Sequence, residues 1–177
     1  MDWHNTVFEV IDFRSFSNLW YWIALAVLWS SVSHWILGVP YDLVLRARRR
    51  TPPEAMDDLQ TLVQVNVNRL LYISEVSGSW ITLFGSGFLT VLTIMAFTYQ
   101  IEFAQAVLLM AAPMVIVGWM TLRTARKIRA TALEGDGLVR KLIRHRFLVQ
   151  LVGIFAIFIT AMFGMYKNLY TGPFSGF

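Results

Sequence analysis

Four stretches of about twenty residues, each without an ionised side chain in its interior, constrain this chain more than any other feature. They cover residues 17–39, 79–99, 103–122 and 147–166. A helix needs about 20 largely apolar residues to cross a bilayer, where every backbone N–H and C=O must be satisfied within the segment. The composition agrees. Hydrophobic residues make up 56% of the chain and charged residues 15%, against about 25% charged in a soluble domain. A soluble chain of 177 residues has too little interior to hide that much apolar surface. The sequence therefore predicts one all-α membrane domain, an integral four-helix bundle.

The direction of the spans follows from the cations. The connection after the first span, residues 40–78, carries Arg46, Arg48, Arg49, Arg50 and Arg69. The connection after the third, residues 123–146, carries Arg123, Arg126, Lys127, Arg129, Arg140, Lys141, Arg144 and Arg146. Thirteen of the 15 basic residues thus fall on one side, leaving Arg14 and Lys167 for the other. These connections are expected to be cytoplasmic, and an even number of spans then puts both termini outside. Spans two and three are separated only by Gln100, Ile101 and Glu102, which predicts a tight outer hairpin with Glu102 at its tip. The chain opens Met1-Asp2-Trp3-His4 without a basic leader region, so the first apolar stretch reads as a retained helix. Trp20, Tyr21, Trp22, Trp35, Tyr99, Trp119 and Tyr166 lie near span ends, where amphipathic rings favour the headgroup level.

Outside the spans, Trp3, Val7 and Ile11 share a helical stripe, which predicts an interfacial helix in residues 1–16 on the outer surface. Pro52 and Pro53 end any helix arriving from span one. Beyond them, Leu59, Leu62, Val63, Asn66, Leu70 and Ile73 recur at helical spacing, which predicts an amphipathic cytoplasmic helix over 54–76 feeding span two. Residues 63–68 (VQVNVN) also alternate with the period of a strand. In the second connection, Gly135-Asp136-Gly137 is expected to reverse the chain.

Polar groups within spans are the first place to seek function. His34 ends the first span and His145 precedes the fourth from the same side, so together they could ligate a haem or touch a quinone. Small residues at Gly78, Thr82, Gly85 and Ser86 in span two, and at Gly153, Ala156, Thr160 and Gly164 in span four, suit close helix packing. The hydroxyls of span two could alternatively line a pathway. Pro113 is placed to kink span three. The juxtamembrane cations suit anionic lipid headgroups or a protein partner; nucleic acid is not expected as a partner. There is no cysteine, Gly-rich phosphate loop, HExxH or serine nucleophile elbow. No enzyme and no cofactor are expected outside the two-histidine alternative.

The run Phe13-Arg14-Ser15-Phe16-Ser17-Asn18-Leu19-Trp20-Tyr21-Trp22, with Gly38-Val39-Pro40-Tyr41-Asp42 and the arginines after it, resembles small alphaproteobacterial inner-membrane proteins. Some of these are labelled components of a SufBCD complex. The resemblance implies a bacterial inner-membrane location and a link to iron–sulfur cluster assembly. Lacking cysteine and a nucleotide-binding motif, this chain would join that process as a partner only. The expected function is a non-catalytic accessory, scaffold or assembly protein that binds a membrane complex or tethers soluble partners. The alternatives are a small channel or transporter, and a haem- or quinone-binding redox subunit.

Overall fold

The computed structural model describes Phe16, residues 18–50 and residues 52–171. In chain order its elements are α1 (Leu19–His34), β1 (Trp35–Ile36), β2 (Val39–Pro40), α2 (Tyr41–Arg49), α3 (Ala55–Phe97), α4 (Glu102–Thr131) and α5 (Gly135–Thr171). Three of these helices, α3, α4 and α5, are long and apolar enough to cross a membrane, as expected of a multi-pass membrane protein. The interfacial helix expected in residues 1–16 falls outside the described residues except for Phe16.

The first apolar segment differs from its expected form. α1 stops at His34 after 16 residues, about 24 Å of rise, where a helix running to Val39 was expected. Asn18 caps its start, the side-chain oxygen accepting the Trp20 N–H at 3.0 Å. At its end the chain turns into an antiparallel pair in which Trp35 faces Pro40 and Ile36 faces Val39. The two linking residues, Leu37 (φ 52°) and Gly38 (φ 76°), both have positive φ, as a two-residue type I′ turn demands. Asn66 of α3 donates to the Gly38 carbonyl at 3.3 Å and holds this hairpin against the helix. Pro40 then precedes α2, which closes on Arg50 in the left-handed region (φ 53°).

α3 runs unbroken for 43 residues, about 65 Å, roughly twice the thickness of the hydrocarbon. The expected amphipathic helix and span two are therefore one rod. The strand-like alternation at 63–68 is helical, because Val63 and Val67, four apart, bury on one row with Leu59 and Leu71. Leu62 and Ile73, expected on the apolar stripe, are exposed instead.

At the α3–α4 turn, Gln100 is left-handed (φ 54°), and buried Gln105 donates to the Ala96 carbonyl at 2.8 Å. Glu102 accepts the Phe16 N–H at 2.9 Å, so the hairpin tip holds the start of the described chain. The second reversal lies at 132–134, earlier than the expected glycines. Ala132 takes the left-handed C-cap of α4, and Gly135 already opens α5.

Nearly half of the buried apolar residues, 12 of 25 among the described residues, lie where the sequence places connections. Ile36, Leu37 and Val39 of the hairpin, Val44 and Ala47 of α2, and the Leu59–Leu71 row of α3 form one core. Ala125 and Ile128 of α4 and Leu138, Val139 and Leu142 of α5 complete it. This helical head has the close-packed interior of a soluble domain. The apolar windows of α3, α4 and α5, by contrast, are only 11%, 22% and 28% buried, as suits surfaces facing lipid. In the middle of the molecule Leu25 and Trp29 of α1 pack with Val117 of α4 and Val149 and Ala156 of α5. α3 gives no residue to that cluster. It meets α4 at the head and again at the tip, through Leu92, Ala96 and Ala104.

Candidate functional site

The two small-residue faces predicted from sequence have opposite fates. On α5, a Cβ added at Gly153 would lie 2.8 Å from Trp29 Cε3. One added at Gly164 would lie 3.3 Å from ring carbons of Phe16 and Trp22. Ala156 and Thr160 are buried on the same side. This face therefore receives the aromatic residues of α1, and the absence of side chains at 153 and 164 makes room for them. Trp22 is fixed in turn by donating its indole N–H to the Phe16 carbonyl at 3.1 Å.

On α3 the corresponding residues meet nothing from another helix among the described residues. A Cβ at Gly85 has no heavy atom within 4 Å, and one at Gly78 reaches only Ser74 of its own helix. Thr82 donates to the Gly78 carbonyl at 2.8 Å and Ser86 to the Leu83 carbonyl at 3.0 Å. Thr90 and Thr93 donate in the same way to Ser86 and Leu89. Every residue from 79 to 91 except Leu89 is exposed, so the helix is bare around its circumference. Ser74, Gly78, Thr82, Ser86 and Thr90 form a row at every fourth position, the spacing that lets two membrane helices approach closely.

The two candidate histidines occupy different surroundings. His34 is exposed and packs edge-on against Trp35, with ring centroids 5.8 Å apart. His145 is buried between α4 and α5. Its Nε2 lies 3.3 Å from Thr121 Oγ1 and its Nδ1 lies 3.2 Å from Thr124 Oγ1. Thr121 spends its single hydroxyl proton on the Val117 carbonyl at 2.8 Å. With that proton on Val117, Thr121 accepts from Nε2–H of a neutral His145 and Thr124 donates to Nδ1. Both ring nitrogens thus face threonine hydroxyls of α4. A cavity of about 320 Å³ beside His145 is lined by Ser31, Trp35, Thr121 and Arg146 among others, but not by His34. Among the described residues there is no group of three or more His, Cys, Asp or Glu that could hold a metal ion.

The basic residues divide by environment. The Arg146 guanidinium lies 3.6 Å from the centre of the Tyr41 ring, and its Nε donates to the Ser33 carbonyl at 3.2 Å. That carbonyl is one of those left open at the end of α1, so Arg146 ties α1, α2 and α5 together. Arg46 pairs with Asp42, Arg50 with Asp136 and Arg129 with Glu75. Arg126 donates to Ser74 at 3.4 Å, and Arg123 lies over the Trp119 ring. Arg48, Arg140 and Arg144 have no such partner among the described residues and gather around a cavity of about 580 Å³.

Thr121, Thr124 and Gln105 hold the molecule together without having been singled out in the sequence, while Asn66 reads there only as part of a helical stripe and Tyr41 only as part of the family-like run. The two threonines sit three apart on α4, one helical face, but nothing in the sequence shows that this face meets His145. Comparison with protein-family models, curated proteins and solved structures returns no match for this chain.

Proposed function

We propose that the chain is a non-catalytic accessory or scaffold protein of the bacterial inner membrane that docks another membrane protein through the middle of α3. In this reading α1 is a fourth, short span, both termini are periplasmic and the basic head lies in the cytoplasm, as the cation distribution favours. One observation carries the docking reading. The small-residue row of α3 has the spacing of a helix contact, yet among the described residues no other helix fills it from Gly78 to Thr90. Lipid can cover a bare helix, but it gains nothing from glycine and short hydroxyl residues at every fourth position, whereas a second helix does. The α3 hydroxyls donate to their own helix, which supports packing over a water-lined path. The well-packed head would then fix the angle at which α3 is presented.

The chain has no cysteine, so Ser86→Cys creates a single thiol in the row. Crosslinking in native membranes is expected to trap a discrete adduct from position 86, and none from Ile154→Cys on α5. Thr82→Leu with Ser86→Leu should abolish co-purification of the adduct partner in mild detergent while leaving thermal stability unchanged. A lone monomer in several mild detergents, with no adduct from position 86, would sink the reading.

A further inference from the structure

The head carries a second feature, separate from the open row on α3. Arg48 of α2 and Arg140 and Arg144 of α5 surround the cavity of about 580 Å³, whose apolar wall includes Val139, Ile143 and Phe147. All three arginines are exposed. The acid on the rim, Asp136, pairs with Arg50 at 3.5 Å. Three like charges around one cavity repel one another, and an anion among them removes that repulsion. Arginine forks match the oxygens of a phosphate group particularly well.

The neighbouring cavity indicates which anion. Phe147 also lines a trough of about 360 Å³ that follows α5 past Trp29, Gly153, Ile154 and Ile157. Its polar lining residues, Ser33 and Gln150, are bonded to each other at 3.2 Å, which leaves the trough apolar. Phe147 marks the start of the apolar part of α5. A basic cavity at the head end and an apolar trough beyond it match an amphiphile with an anionic head and a hydrocarbon chain. A free phosphate would fill only the first.

We propose that this groove binds one anionic phospholipid, its phosphate among Arg48, Arg140 and Arg144 and an acyl chain running past Phe147 along Trp29 and Gly153. Basic pockets beside membrane helices hold anionic headgroups by the same attraction. The site does not depend on what covers α3.

The test is a titration of delipidated protein in detergent, with bound lipid counted by native mass spectrometry. Phosphatidylglycerol is expected to bind as a single saturable copy, in preference to phosphatidylcholine. Arg48→Gln with Arg144→Gln should weaken it about 30-fold, or about fivefold per cation. Arg126→Gln with Lys127→Gln removes the same charge elsewhere on the head and should leave the affinity unchanged. Ile154→Trp, which fills the trough from an exposed position, should weaken phosphatidylglycerol but not alter any binding of inorganic phosphate. Circular dichroism checks that each variant keeps its helices. Equal losses in the two charge variants would overturn the proposal, as would no loss in the first. So would displacement of the lipid by inorganic phosphate at equal concentration.

Discussion

Replacing Gly153 by alanine tests how α1 is held. In the middle of a helix this change normally stabilises by about 1 kcal/mol, because alanine loses less backbone freedom than glycine. Here the new methyl would sit 2.8 Å from Trp29 Cε3 and 3.3 Å from two further indole carbons, well inside ordinary contact. The ring cannot simply swing away, because Trp29 is buried in the cluster with Val117, Val149 and Ala156. Relief therefore requires α1 to move off α5 by roughly half an ångström or more, and overpacking of this kind costs about 1–3 kcal/mol. At the middle of that range the clash outweighs the propensity gain, leaving a net loss of about 1 kcal/mol. Gly85→Ala on α3 meets nothing within 4 Å and keeps the gain. The same substitution on two helices should thus differ by about 2 kcal/mol. Unfolding in a mixed micelle, followed by circular dichroism, measures both. A double variant pairing Gly153→Ala with Trp29→Phe should recover most of the loss. The smaller ring makes room, and it also removes an indole N–H that is buried without a hydrogen-bond partner among the described residues. Equal stability of the two alanine variants, or no recovery in the double variant, would refute the packing of α1 on this face.

Three further outcomes are expected. His145→Leu should lower stability by about 1–3 kcal/mol in the same unfolding assay, because the Thr124 hydroxyl then loses its partner, and Thr121→Val should cost a similar amount by taking the partner from His145 Nε2. Gly38→Ala should destabilise the head by about 1–2 kcal/mol, since Gly38 combines a φ of 76° with an Asn66 side chain 3.2 Å from the added methyl; loss of amide-exchange protection confined to the head would report it. Leu59→Ala, at a fully buried position, should cost about 2–5 kcal/mol and open the head to proteolysis without changing which segments are inserted.

Apolar length made the three long helices legible in the sequence, because satisfying the backbone in lipid leaves little choice of structure. The α3–α4 turn was legible for the same reason: two apolar runs three residues apart can only double back. The end of α1 was not. Residues 35–39 are apolar enough to extend a span, and only the positive φ at both Leu37 and Gly38 shows that they make a turn and enter the head core. The connections read as amphipathic or basic links, since their charged residues dominate any window average; the i, i+4 row of Leu59, Val63, Val67 and Leu71 shows its purpose only once α2, α4 and α5 are set against it. At the candidate sites, sequence spacing found the α5 glycines but could not tell them from the α3 row. Which row is filled depends on the aromatic residues of α1, and that is a tertiary fact. Nor could it pair His145 with two threonines rather than with His34.

The composition of the head core bears on how the protein is made. Its residues come from two separate stretches, 36–71 and 125–142, with the α3–α4 excursion between them. The first stretch is synthesised well before the second, and until residues 125–142 follow, its apolar row has only the hairpin and α2 to close against. The head core is therefore complete only after residues 125–142 have been made.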